Sequence, residues 1–373
     1  MKYSNIGGQA VMEGVMMRND EKYAVAVRTA DHHITVKTGE YHGISQKVKK
    51  IPIVRGVVSF VDSLVLGMRT LMFSADLFTE ESERDLEDRL KDEKKKSDKK
   101  AEKLRKAGKS AEAEAVTKKF EAYMEEERSK LRLRSEEGNG KSEGSDNTLM
   151  LSMTVVISLI ISVSLFMMLP YALSRALQRV TSSEILISIM EGVLRMAIFF
   201  GYLLLISRMK DIQRTFMYHG AEHKCINCLE HGLELNVENV RKSSRQHKRC
   251  GTSFLLWVMV VSVIFFLFIR TSNPLMRVLT RLLLIPVIAG VSYEFIRLAG
   301  RSDNAFVNLM SKPGMALQAL TTREPDDSQI QVGIASVEAV FNWKKYLNEN
   351  FGAQYELTAE DEAKGMDLIY TLK

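Results

Sequence analysis

Cysteine is nearly absent: three residues in 373, Cys225, Cys228 and Cys250, all within one short stretch. An odd, clustered count beside histidines argues against a disulfide framework and points to thiol or metal chemistry in a reducing compartment. The N-terminus lacks the succession of charge, apolar run and small-residue cleavage site that marks a removable signal peptide, so none is expected. No basic run is interleaved with aromatics, which argues against nucleic acid as a partner despite a net charge of +6 and a pI of about 9.0. In a membrane protein such a surplus reflects Lys and Arg in cytoplasmic loops. Internal repeats and broken apolar helices are missing too, which leaves a transporter reading without its usual signal.

What is present is apolar length. Leu149 to Leu173, Ile185 to Ser207, Ser253 to Ile269 and Leu282 to Leu298 each suffice to cross a hydrocarbon core of about 30 Å. Two of these runs carry charges, Glu191 with Arg195 and Glu294 with Arg297. Their spacing puts each pair on one helix face, and ionic groups at membrane depth are tolerated when paired or turned into a polar cavity. A further stretch, Ile51 to Phe78, is interrupted by Arg55, Asp62, Arg69 and Asp76. Those four recur about every two helical turns and share one slowly drifting face, with Val61, Leu64, Val65 and Met72 on the others. The pattern predicts an amphipathic helix on the membrane or packed under the spans, not a fifth span.

The loops set the orientation. Arg208 to Gly251 is rich in Lys and Arg, whereas the two other inter-span loops are short and carry few. The positive-inside rule puts that loop and both termini in the cytoplasm of a multi-pass bacterial inner-membrane protein. Ahead of the spans, "YAVAVRTADHHITVK" alternates as a β-hairpin, and the glycines of "IGGQAVMEGVMMR" suggest turns or close backbone approach. From Thr79 to Asn147 acids and bases nearly balance and aromatics almost vanish. Such a block cannot form a core; it reads as a solvated helix or helical hairpin, closing in the linker "SEEGNGKSEGSDN". At the other end, Pro325, Asp326 and Asp327 open a helix whose Ile330, Ile334, Val337 and Phe341 form one apolar docking stripe. The tail from Asn342 to Lys373 shows no site-like chemistry.

The chain therefore divides into an N-terminal cytoplasmic β-containing module (1–50), an amphipathic membrane-associated helix (51–78), a charged helical or unstructured insertion (79–148), two spans (149–207), a cytoplasmic loop (208–251), two more spans (252–299) and a C-terminal docking helix and tail (300–373). The fold class is mainly α: a polytopic membrane protein with about four transmembrane helices. Its partners are the lipid bilayer and a protein partner reached through the 79–148 arm.

Chemistry concentrates in "HGAEHKCINCLEH", His219 to His231. On a helix, at about 100° per residue, His219, Glu222 and His223 fall at roughly 0°, 300° and 40°, one face, while Cys225 and Cys228 fall near 240° and 180°. H-x-x-E-H is the inverted zincin pattern: two imidazoles one turn apart hold zinc and the carboxylate takes a proton from water. Downstream, "SRQHKRCGTSF" adds His247 and Cys250. With His219 and His223 they offer four nitrogen and sulfur ligands, a set that favours zinc over magnesium or calcium. Cys250 would bind as thiolate, helped by Arg245, Lys248 and Arg249. His231, before Gly232, reads as a helix-end partner of the dipole. Two helix-capping or core histidines remain the structural alternative.

"GGQAVMEGVMMR", "YHGAEHKCINCLEHG", "VRKSSRQHKRCGTSF", "LLLIPVIAGVSYE" and "LTTREPDD", in that order, resemble the bacterial YqhQ-like membrane family. The resemblance covers most of residues 5–78 and 149–341. The family is described as predicted metal-dependent enzymes of unknown reaction. It implies that His219, Glu222, His223, His247 and Cys250 belong to its motif, and it names no substrate. Glu13, the lone carboxylate of the N-terminal block, is a candidate ligand, base or orienting group, or part of a tight structural turn. The leading expectation is a metal-dependent hydrolase of peptide or lipid-linked substrate, with Glu222 catalytic and His219, His223, His247 and Cys250 on a divalent metal, zinc. The alternative is a non-enzymatic scaffold or assembly factor with a structural metal site.

Overall fold

The computed structural model describes residues 2–29, 31–44, 48, 50–106, 109–110, 114, 116–118, 120–121, 123–125, 145–176, 183–268, 274–300, 302, 304–358 and 369–372. The chain separates into two compact units. The larger comprises residues 1–28, 33–71 and 157–373; the smaller comprises 29–32 and 72–156.

The larger unit opens with four antiparallel strands, β1 (Ile6–Val11), β2 (Gly14–Asn19), β3 (Lys22–Arg28) and β4 (Ile34–Glu40). The expected hairpin is β3–β4, and the glycine-bearing block before it forms two more strands, not only turns. Alternation fails there because β2 is covered on both faces: Gly14, Val15, Met16 and Met17 are all buried, and two-sided burial erases the period-two signal. Tight turns join the strands, with Glu13 and Asp20 at positive φ (50° and 53°), a region that an aspartate in a turn tolerates. A fifth strand, β5 (Ile369–Leu372), pairs antiparallel with β4 from the far end of the chain. The tail thus completes the sheet.

Helices follow in the order α1 (Val54–Lys106), α2 (Ser145–Val163), a π-helical turn (Ser164–Met168), α3 (Leu169–Ala176), α4 (Glu184–Ile206), α5 (Lys210–Glu230), α6 (Val237–Lys242), α7 (Gly251–Phe268), α8 (Pro274–Ala299), α9 (Ala305–Thr321), α10 (Asp327–Val340) and α11 (Trp343–Phe351). The charged block is helical as far as Lys106; the linker residues 135–144 lie outside the described residues. Among the described residues, five segments are long and apolar enough to cross a membrane: Val54–Leu77, Val156–Ala176, Glu184–Ile206, Gly251–Phe268 and Met276–Ala299. Four coincide with the expected spans. The fifth is the stretch expected to be amphipathic: its four charges stand seven residues apart, and the residues between them make it apolar enough on average.

Charged pairs inside the apolar helices differ from the sequence expectation in their partners. Glu191 does take Arg195, at 3.0 Å, but also receives both terminal nitrogens of Arg281, at 2.6 and 2.9 Å, from α8. Glu294 is gripped by Arg55 of α1 through Nε and Nη2, with Arg297 3.8 Å away.

The core that positions the site lies between the sheet and α5, α10 and α11. Val15, Met17, Ala24 and Val36 of the sheet meet Tyr218, Ile226 and Leu229 of α5, Ile330 and Val337 of α10 and Leu347 of α11. A capping box fixes the start of α10, where Asp326 accepts from the Gln329 amide and the Gln329 side chain accepts from the Asp326 amide. Between α9 and α10 the chain crosses α5 so closely that a Cβ on Gly220 would stand 2.0 Å from the Arg323 carbonyl oxygen. Main chain cannot yield as a side chain can, so Gly220→Ala is expected to destabilise the protein by about 1–3 kcal/mol. It should also push the preceding Thr321 carbonyl off α5. A thermal melt in detergent checks this: an unchanged midpoint would mean the segment moves freely.

Candidate metal centre

α5 carries the H-x-x-E-H group, and its register fits the helical reading: His219, Glu222 and His223 converge while Cys225 and Cys228 face elsewhere. Cys225 packs toward α10, its Sγ 3.0 Å from where a Cβ on Gly333 would sit, and Cys228 donates to the Glu234 carbonyl at 3.3 Å. Burial pushes both thiols up from their ordinary range, Cys228 to about 11.

Two main-chain carbonyls decide what the histidines offer. Nδ1 of His219 lies 2.9 Å from the Thr321 carbonyl oxygen, and Nδ1 of His223 lies 2.7 Å from that of Arg245. A carbonyl only accepts, so each Nδ1 carries a proton, and Nε2 is the ring nitrogen left to face the group. Cys250, the residue before α7, brings its Sγ to 3.3 Å from His219 Nε2. One ligand atom from each of His219, His223 and Cys250 lies within 4.8 Å of the others. Zinc bonds of about 2.0–2.1 Å to nitrogen and 2.3 Å to sulfur fit within that spacing.

Glu222 stands beside this group. Its Oε2 is 3.8 Å from Nε2 of both histidines, and its Cγ lies 2.7 Å from where a Cβ on Gly8 of β1 would be. Only glycine lets the strand pass over the carboxylate there. The electrostatics are those of a coupled thiol–imidazole group. Burial opposes charge on every member, yet the His219 and His223 imidazoles hold the Cys250 thiol well below its ordinary range. Against the same burial, the Cys250 sulfur raises His219 to about 9.

His247 is not brought into the group. Its main chain is clamped by Gln318, whose Oε1 accepts from the His247 amide at 2.8 Å and whose Nε2 donates to its carbonyl at 2.7 Å. Its ring turns to Glu230, with Nε2 3.4 Å from Oε2, while Nδ1 accepts from the Arg249 amide at 3.4 Å. Both ring nitrogens are thereby engaged. Glu13 also stands apart: Arg214 donates to both its oxygens and the Tyr218 hydroxyl to Oε2 at 3.2 Å, tying the β1–β2 turn to α5. Sequence reasoning missed the Thr321 and Arg245 carbonyls, which carry no residue-type signal. It also missed Gln318, a buried amide legible only as one polar position among apolar ones.

Glu230 is a second buried acid of consequence, accepting from the Ser4 amide and hydroxyl at 2.9 Å and from Arg249. Burial by itself would raise its carboxyl, but hydrogen bonding from His247 and the Arg249 charge outweigh it and hold the carboxyl below its ordinary 4.5. A depressed folded value stabilises above the unfolded value, and that stabilisation is lost as pH falls through the folded one. Glu230→Ala should therefore cost about 3–5 kcal/mol at neutral pH by stranding Arg249. The difference between wild type and variant should shrink below about pH 4–5. Melts across pH check it, and a difference constant down to pH 3 would refute the assignment.

Apolar helices long enough to span a membrane, a β-sheet module packed on a polar helix and a His/His/Cys group just before one apolar helix define a class: a multi-pass membrane protein with a possible metal site on its polar module. Residues 51–343 match the family described as Protein of unknown function (DUF1385), and the chain belongs to it. It is similar to the uncharacterized protein YqhQ of Bacillus subtilis (strain 168), 31% identical over 347 residues that cover 92% of this chain and 94% of that one. No solved structure matches the chain. The family resemblance read from the sequence is thus met, whereas neither description names an enzymatic activity.

Proposed function

We propose that His219, His223 and Cys250 bind one zinc ion through Nε2, Nε2 and Sγ, and that the protein is a membrane-embedded metal-dependent hydrolase of peptide or lipid-linked substrate. The observation that supports this best is the pair of carbonyl-pinned Nδ1 atoms, which leaves both Nε2 atoms to meet beside the Cys250 sulfur. Such outer contacts fix ring orientation in metal sites. Three protein ligands with the fourth position left to water are the pattern of a catalytic zinc, which lowers the pKa of water and polarises a carbonyl or phosphoryl oxygen. Glu222 is the base that accepts the proton. Elemental analysis of the purified protein tests the reading: one zinc per chain supports it, and none sinks it.

A specific observation favours the second reading, a scaffold or assembly factor with a structural ion. Glu222 is nearly equidistant from both Nε2 atoms and almost fully buried, so it can serve as a fourth ligand and close the shell.

The reading places the protein in the bacterial inner membrane with four spans and both termini cytoplasmic. Parity supports it. The N-terminal strands, α5 and the C-terminal helices share one core, so they lie on one side of the bilayer. Three apolar segments separate β4 from α5, and an even number of crossings must occur among them. The segments Val156–Ala176 and α4 supply two, leaving α1 on the near side. A reporter fused at Val237 should behave as internal and one at Asn273 as external; the reverse pattern would overturn the topology. The charged 79–148 segment is then a cytoplasmic arm suited to a protein partner.

A further inference from the structure

A cavity of about 410 Å³ opens between β1, β2, the first turns of α1 and the end of α8. Its charged lining is Arg18, Arg55, Arg297 and Asp20. Glu294, behind it, is held by Arg55, so three guanidiniums face two carboxylates and one positive charge is left over. The size is that of a small-molecule site. The strand contributes open space: a Cβ on Gly7, which lines the cavity, would meet nothing within 4 Å, whereas the next residue, Gly8, abuts Glu222 and Met17.

α1 shows where such a ligand comes from. Arg55, Ser59, Ser63 and Leu66 line the cavity; at about 100° per residue they fall within roughly 80° of one another on the helix. Val61, Leu64, Val65 and Met68 lie on the opposite side and are all exposed, at 47%, 56%, 46% and 56%. The remaining wall, Tyr293 and Arg297, belongs to the last two turns of the apolar helix α8. A cationic, hydroxyl-lined cavity thus sits at the end of an apolar helix, and α1, which forms another of its walls, turns a bare apolar face of the kind that acyl chains cover the other way.

We propose that this cavity binds the phosphodiester headgroup of an anionic phospholipid, its single negative charge matching the residual positive one and its acyl chains running along the apolar helix α8, whose last turns form one wall of the cavity. The site is separate from the His/His/Cys group and does not depend on its metal. Arg18 and Arg297 supply the selectivity for an anionic headgroup, and Ser59 and Ser63 donate to phosphate oxygens.

The test uses full-length protein in detergent, with binding read by native mass spectrometry and thermal melting. The probes are phosphatidylglycerol, phosphatidylcholine of the same acyl chains, and inorganic phosphate. Phosphatidylglycerol should bind in clear preference to phosphatidylcholine, and inorganic phosphate should neither stabilise nor compete. Arg18→Ala with Arg297→Ala should weaken phosphatidylglycerol roughly thirtyfold, at about fivefold per cation near a headgroup. Gly7→Leu, which fills the cavity and leaves the arginines in place, should abolish the preference, deciding the matter if the double variant does not fold. His219→Ala should keep it. Equal binding of the two lipids, competition by inorganic phosphate, or a Gly7→Leu protein with wild-type preference would each overturn the proposal.

Discussion

His223→Ala should strip the metal from the purified protein. Its imidazole is almost fully buried, its Nδ1 is held by the Arg245 carbonyl, and its Nε2 faces the point shared with His219 and Cys250, with Glu222 3.8 Å away. Loss of a direct ligand must exceed the roughly 10–100-fold in affinity that follows loss of a mere outer contact. Cys250→Ala and His219→Ala should behave alike, whereas Cys225→Ala and Cys228→Ala, whose thiols pack toward α10 and the Glu234 carbonyl, should keep one ion per chain. His247→Gln provides the sharpest contrast. The sequence puts His247 among the ligands, yet its ring faces Glu230, and glutamine can still donate to that carboxylate. Metal retained in His247→Gln and lost in His223→Ala is the expected result, read by elemental analysis. Metal lost equally from the Cys225 and Cys228 variants would show that another group holds it.

Glu222→Gln should abolish function while leaving the ion in place. Glutamine preserves the shape that fits beneath Gly8 and much of the hydrogen bonding, but it cannot accept a proton. General-base work contributes about 10² to 10⁴-fold to catalysis. Under the hydrolase reading the variant should fold, insert and bind metal, yet fail to complement a deletion strain. Under the scaffold reading it complements in full if metal is retained. Loss of the ion together with function would make Glu222 a fourth ligand, as its 3.8 Å from each Nε2 permits, and would favour a closed structural site. Full complementation with metal retained would sink the enzyme.

The sequence by itself determined whatever depends on local periodicity. The spacing of His219, Glu222 and His223 places them on one helix face whatever surrounds the helix, and the same arithmetic turns Cys225 and Cys228 away. Apolar length marked the helices long enough to span a membrane, and Asp326 announced the start of α10. The alternation of β3 and β4 gave their hairpin. Tertiary structure alone separates His247 from Cys250, which lie three residues apart in a segment without regular period. Only the clamp of Gln318 and the charge of Glu230 turn one ring away and leave the thiol facing the histidines. It likewise gave Glu191 its second partner from α8, Glu294 its partner from α1, and β4 its neighbour β5. These pairings join residues tens to hundreds of positions apart. Periodicity carries no information at that range; the partner is chosen by which groups the completed fold strips of water and leaves in need of a hydrogen bond.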